Sequence, residues 1–102
     1  MQLYRAVDKE ELHLIRENGN KRFPKGLKHP PVFSNLLARR AAKELFQKST
    51  GYVVVFFINA EYIKQFTNSN RELAVPNDSF EDFNDHIKGV ILAIEKYEGN
   101  KP

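Results

Sequence analysis

One run limits the fold more than any other. Residues 52–58 read Tyr-Val-Val-Val-Phe-Phe-Ile, apolar on both faces and rich in β-branched side chains. A half-buried strand alternates apolar and polar residues, whereas a strand that is apolar throughout has both of its faces covered. The segment therefore belongs at the centre of a sheet, with material packed on two sides. It is far short of the roughly 18–20 apolar residues that cross a bilayer. The rest of the chain can supply the cover: Leu, Ile, Val and Phe make up 30 of its 102 residues. That share lies well above the roughly 20% below which chains tend to stay disordered, and the length suits one domain.

Local signals fill in the order. Residues 2–7 read as a strand, with Leu3, Arg5 and Val7 on one face and Tyr4 and Ala6 on the other. Asp8 and Glu11 have capping-box spacing, Val7 and Leu12 that of a hydrophobic staple, and Asn18-Gly19 is a stop, so a helix fills residues 8–18. Residues 20–31 form a loop and 32–34 a short strand. Ser34 or Asn35 caps a second helix to about residue 48, closed by Gly51. Its expected buried stripe is Leu37, Ala38, Ala41, Ala42 and Leu45, with Arg39, Arg40 and Lys43 outward. Beyond the central strand come a helical turn at 60–66, a polar loop at 67–70 and a strand at 71–75 cut by Pro76. Asp78 and Glu81 repeat the capping-box spacing and open a short helix carrying Phe80, Phe83 and Ile87. Gly89 ends it, and 90–97 is a final strand. These short elements predict an α+β domain with small mixed or antiparallel sheets. A doubly wound nucleotide fold is disfavoured, because the glycine-rich phosphate fingerprints are absent.

Charge is uneven. Between Lys21 and Lys48 eight Lys/Arg residues meet a single acid, Glu44. Such a stripe suits nucleic acid, an acidic protein or a phosphate-bearing ligand, or it is a solvated helix face with a basic loop. Cysteine is absent, which excludes disulfides, thiolate metal sites and a cysteine nucleophile. His13, His29 and His86 lack metal-ligand spacing. Asp82 and Asp85 read as an acidic helix face rather than a catalytic pair.

Three polar residues stand out. Arg5 interrupts an apolar strand, Ser34 sits where a strand meets a basic helix, and Glu72 starts a strand after a polar loop. Arginine and glutamate are costly to bury unpaired. Arg5 and Glu72 therefore either pair with each other, lie solvated at strand ends, or serve a ligand.

The run Leu3-Tyr4-Arg5-Ala6-Val7, then Val32-Phe33-Ser34 leading into Ala41-Ala42, then the apolar strand, then Asn70-Arg71-Glu72-Leu73-Ala74-Val75-Pro76, resembles small mono-ADP-ribosyltransferase domains. These are of the Arg-Ser-Glu type found among bacterial polymorphic and contact-delivered toxins. The ending Phe83-Asn84, Ile87 and Gly89 is similar to the segment that follows the catalytic strand in such toxins. The resemblance spans residues 3–94. It implies a single compact domain, 1–102, whose small sheets form a cleft for NAD, the substrate. Arg5 would hold the phosphates and ribose, since a guanidinium offers a planar fork of donors. Ala6 would lend backbone groups to the nicotinamide amide, Ser34 would position the ribose and Glu72, and Phe46 would stack on the nicotinamide. Glu72 would be catalytic, bonding the ribose 2′-hydroxyl and stabilising an oxocarbenium-like sugar. Asn70 stands two residues before it, where many relatives carry Glu or Gln that helps choose the acceptor. The shorter amide leaves the acceptor open.

The same resemblance implies a target macromolecule, a protein ahead of nucleic acid, and the basic stripe 21–48 suggests an acidic partner, either an immunity protein or the target itself. No membrane partner is expected. With no basic-then-apolar leader at the N-terminus, the domain is expected to be delivered as part of a larger protein and to act in the cytoplasm of a target cell. Two other readings compete. RNA 2′-phosphotransferases share the fold and consume NAD, but need basic and histidine residues for the RNA phosphate that have no obvious counterpart here. A non-catalytic module would use the stripe 21–48 to hold nucleic acid or an acidic protein.

Overall fold

The apolar run forms the middle strand of a three-stranded antiparallel sheet. In the computed structural model, which describes residues 1–24, 31–67 and 73–99, β1 (Gln2–Asp8) and β3 (Ile87–Glu98) flank β2 (Thr50–Ile58). Register sets Arg5 opposite Val54 and Ala6 opposite Val53. Four helices complete the described chain: α1 (Lys9–Glu17), α2 (Asn35–Leu45), α3 (Ala60–Lys64) and α4 (Phe80–Asp85), the last preceded by a 3-10 turn at Asn77–Ser79. The α+β expectation holds at this level. Among the described residues the strands make one antiparallel sheet. No described helix is long and apolar enough to cross a membrane.

The sheet is covered on both faces, as the middle strand requires. On one face Leu3, Val7, Val54, Phe56 and Ile58 pack with Leu12 and Ile15 of α1, Phe23, and Phe80 and Phe83 of α4. Phe23 and Phe83 both meet the Phe56 ring edge to face. Burying a side chain of this size contributes roughly 1.5–3 kcal/mol. On the other face Ala6 and Val53 meet Ala38, Ala42 and Phe46. Only small residues of α2 face the sheet, so this helix lies close to it. Leu37 and Leu45, expected in the buried stripe, are exposed instead.

Caps explain where the helices begin and end. Asp8 accepts from the Glu11 N–H at 2.7 Å to start α1. The helix closes in a Schellman turn, with Gly19 N–H donating to the Arg16 carbonyl and Asn20 N–H to the Ile15 carbonyl. The Asn20 carbonyl then accepts the Ile91 N–H, tying the end of α1 to β3. Two expectations need correction. The capping box expected at Asp78 is a 3-10 turn, and α4 begins at Phe80. Gly89 does not end a helix: β3 already starts at Ile87, and Gly89 (φ +73°) lies where the strand slips register against Val55 and Phe57.

Candidate functional site

Arg5 is the most unusual residue of the core. The register of β1 points it to the α1 face, between Leu3 and Val7, and it is wholly buried. Its Nη1 donates to Glu11 Oε2 at 2.5 Å, and Glu11, one turn into α1, is itself buried. The guanidinium carbon lies 5.3 Å from the centroid of the Phe23 ring, which covers it. Burial lowers the Arg5 pKa from its ordinary value, and the charges of Glu11 and Asp8 oppose that fall. An ion pair of this kind is held only where the geometry offsets the loss of water around both charges.

Phe23 is in turn held by Asn84. The Asn84 Oδ1 accepts the Phe23 N–H at 2.9 Å, and its Nδ2 donates to the Phe23 carbonyl at 3.2 Å. Sequence reasoning missed Glu11 and Phe23 as members of this cluster and gave Asn84 no role. The signal available for Glu11 was its place one turn into a helix that follows the Arg5 strand directly.

Ser34 starts α2. Its backbone is extended, and its Oγ accepts the Leu37 N–H at 3.2 Å. Two residues earlier, Val32 exchanges both backbone hydrogen bonds with Tyr4, at 2.8 and 2.9 Å. The expected short strand is therefore a single antiparallel bridge on the outer edge of β1, and from it the chain runs back toward the start of β1, so that Ser34 lies on the side of Gln2 rather than of Arg5.

The other expected residues are placed differently. Ala6 lies on the α2 face, opposite to the Arg5 side chain, packed on Val53, Ala38 and Ala42. Phe46 lies on that same face, 8% exposed, and its ring fills the space over Gly51: a Cβ there would come within 2.0 Å of it. Arg5 and Phe46 thus sit on opposite faces of the sheet. Asn70 and Glu72 lie outside the described residues. The next residue, Leu73, is buried in the same cluster as Leu3 and Val7, bridges to Thr67, and is followed by an Ala74 N–H that donates to the Phe66 carbonyl at 3.0 Å.

The basic stripe is partly neutralised. Arg22 pairs with Asp85 at 2.8 Å, and Arg39 reaches Glu95 on β3 through Nε at 2.6 Å and through Nη2. Tyr97 donates to the same carboxylate at 2.7 Å. Hydrogen bonds from Arg39 and Tyr97 hold the Glu95 pKa below its ordinary value. Lys21, Arg40, Lys43 and Lys48 are exposed, while Lys25 and Lys28 lie outside the described residues. Two open cavities adjoin the stripe. One of about 530 Å³ is lined by Lys43, Phe46, Lys48 and Tyr97. The other, about 640 Å³, is lined by Lys21, Arg22, Asn84 and Asp85. Neither is lined by Arg5 or Ser34. No group of acidic or histidine side chains that could hold a metal occurs among the described residues. His13 pairs with Glu17 on the surface, and His86 stacks flat on Tyr62 at 3.7 Å.

A scan against protein-family models finds no match, and searches of curated proteins and of solved structures find none either.

Proposed function

We propose that this chain is an NAD-dependent mono-ADP-ribosyltransferase, the toxin part of a larger delivered protein. The observation that supports it is the Tyr4–Val32 pairing, which ties the segment leading into Ser34 to the outer edge of β1, the strand that carries Arg5. Leu73, directly after Glu72, joins the core on the Arg5 face. On this reading Glu72 stabilises the ribosyl cation as the bond from ribose C1′ to the nicotinamide nitrogen breaks. The bonding pair leaves with nicotinamide. A nucleophile of the target, on a protein, then forms the new bond to C1′ and gives up its proton. Arg5 does not meet a phosphate in the arrangement described, because Glu11 and Phe23 close it off. The exposed cations of the stripe, Arg40, Lys43 and Lys48, suit an acidic protein partner such as an immunity protein, and that association would weaken with salt.

Nicotinamide release and labelling of a lysate with biotinylated NAD test the reading. Glu72→Gln keeps the side-chain shape and removes the charge, so turnover should fall about 100-fold or more with folding intact. Turnover unchanged by Glu72→Gln, or none in the wild-type chain, would end it.

The sealed Arg5–Glu11 pair favours a second reading, a non-catalytic module in which both residues are structural and the stripe 21–48 holds an acidic protein or nucleic acid. That reading predicts no NAD turnover and no effect of Glu72→Gln on binding.

A further inference from the structure

Phe57 departs from the rule that its own strand sets. A strand apolar on both faces has both of them covered, yet Phe57 is 49% exposed, the one exposed residue of the run 52–58. By alternation along β2 it shares the α2 face with Val53 and Val55, but the small residues of α2 meet the sheet around Ala6 and Val53, nearer the start of that strand. On β3, Leu92 pairs directly with Val55 and so lies on the same face. Val90 lies there too, because Ile91 between them is buried in the core on the α1 side. Both are exposed, Leu92 by 53%. Leu36 sits one turn before Arg39 on α2, on the flank from which Arg39 reaches Glu95 of β3, and it is exposed as well. We propose that this uncovered face is where a second copy of the chain docks, the two copies stacking face to face about a two-fold axis near Leu92. The inference does not depend on either reading of the function.

Three features carry the proposal. The first is area. Phe57, Val90, Leu92 and Leu36 present a few hundred Å² of apolar surface, the size at which such a patch marks an interface. Doubled by a two-fold axis, with the stems of Lys88 and Arg39 at the rim, it reaches about 1,000 Å², the lower end for a specific association. The dimer should therefore be weak, micromolar or above. The second is charge. Along β3 this face runs from Lys88, opposite Phe57, to Glu95, opposite Val53, and residues 89–94 between them carry no charge. A two-fold axis near Leu92 reverses one strand over the other, so Lys88 of each copy meets Glu95 of the other copy. Glu95 already accepts from Arg39 and Tyr97, and a carboxylate has acceptor positions for a third donor. The strand thus supplies both halves of the match, which favours a copy of itself over an unrelated protein. The third is the condition of the neighbouring edge. The outer edge of β3 is ill suited to pairing with another strand, since the Asn20 carbonyl takes the Ile91 N–H and the register slips between Val53 and Val54. The face, not the edge, is what remains open.

Sedimentation equilibrium over a range of concentrations tests it. The mass of the wild-type chain should rise with concentration and level off at that of two chains, because an isologous interface closes at two. Leu92→Glu sets two like charges against each other at the axis and should raise the dimer Kd about tenfold or more. Leu36→Glu, on α2 rather than β3, should weaken the dimer in the same direction. Both positions are exposed, so circular dichroism and the unfolding midpoint at low concentration should match the wild type. Lys88→Glu should weaken the dimer at low salt and less so at high salt. A wild-type chain still monomeric at about 1 mM overturns the proposal and gives the face to some other occupant. Mass that climbs past two chains without levelling overturns it in favour of open edge pairing. A dimer that Leu92→Glu and Leu36→Glu leave intact forms elsewhere on the molecule, and a Kd indifferent to Lys88→Glu removes the two-fold alignment; either result overturns it.

Discussion

Asn84 grips the backbone of Phe23 with both ends of its carboxamide, although the two residues are 61 positions apart. One bond accepts the Phe23 N–H and the other donates to its carbonyl, so a loop residue with no strand partner gains the two bonds that a strand would have given it. Asn84 is 5% exposed, and the Phe23 ring packs against Phe56 at 4.9 Å. The side chain therefore fixes both a loop and the cover over Arg5.

Removing the grip should be expensive. Asn84→Ala leaves a buried N–H and a buried carbonyl without partners and should lower stability by about 2–4 kcal/mol. Urea unfolding would show it as a fall in midpoint with the slope unchanged. A loss below about 0.5 kcal/mol would mean that water replaces both bonds.

The Arg5–Glu11 pair predicts a strong asymmetry between single and double substitution. Arg5→Met leaves the Glu11 carboxylate buried and uncompensated, which should cost about 3–5 kcal/mol. Adding Glu11→Leu should recover most of that loss, because the pocket then holds two apolar side chains. If the double variant is as unstable as Arg5→Met, the pair contributes through geometry that apolar packing cannot replace.

Phe46 and Gly51 predict a rescue. Gly51→Ala places a methyl group inside the Phe46 ring and should cost about 1–3 kcal/mol through overpacking. Shortening the aromatic with Phe46→Leu should restore part of it. Differential scanning calorimetry on the three variants reads the result, and additive losses would show that the ring does not need the space above Gly51.

Glu95 gives the acid limb of stability a particular shape. Its pKa is depressed in the folded chain, so its contribution is complete above the ordinary glutamate value of about 4.3 and is lost as pH falls through the lower folded value. Melting temperatures of the wild type and Glu95→Gln should therefore differ above about pH 4.3 and converge at lower pH. Parallel curves throughout would assign the difference to packing rather than to the Arg39 pairing.

How much of this was legible in the sequence depends on the range of the interaction. The β2 run, the Asp8 cap and the Asn18-Gly19 stop are local patterns, and each produced the expected element. Ser34 as the cap of α2 was likewise within reach. The composition of α2 was misread because its stripe was judged by apolarity: only Ala38 and Ala42 are buried, since close approach to the sheet selects small residues. Gly89 was read as a helix stop because positive φ is common there; the same backbone also serves a strand irregularity. The Arg5 partner could be sought among acids on the sequence, but capping-box spacing had already given Glu11 a purely local role. The structure gives its carboxylate to Arg5, a contact that exists only because α1 folds back over the strand it follows. The Asn84–Phe23 grip has no local signature at all.

Ser34 allows the two functional readings to be separated without disturbing the fold. Its hydroxyl caps α2, so Ser34→Ala should cost about 1 kcal/mol. Asparagine is as good a cap as serine, so Ser34→Asn should retain stability while replacing the hydroxyl by a larger amide. A transferase whose ribose rests on this hydroxyl loses turnover in both variants, including the one that is as stable as wild type. A binding module loses only what α2 loses, so Ser34→Asn binds its partner as the wild type does. Paired measurements of unfolding midpoint and of nicotinamide release on the two variants decide the matter. Full turnover by Ser34→Asn would reduce Ser34 to a helix cap and take a site residue from the transferase reading.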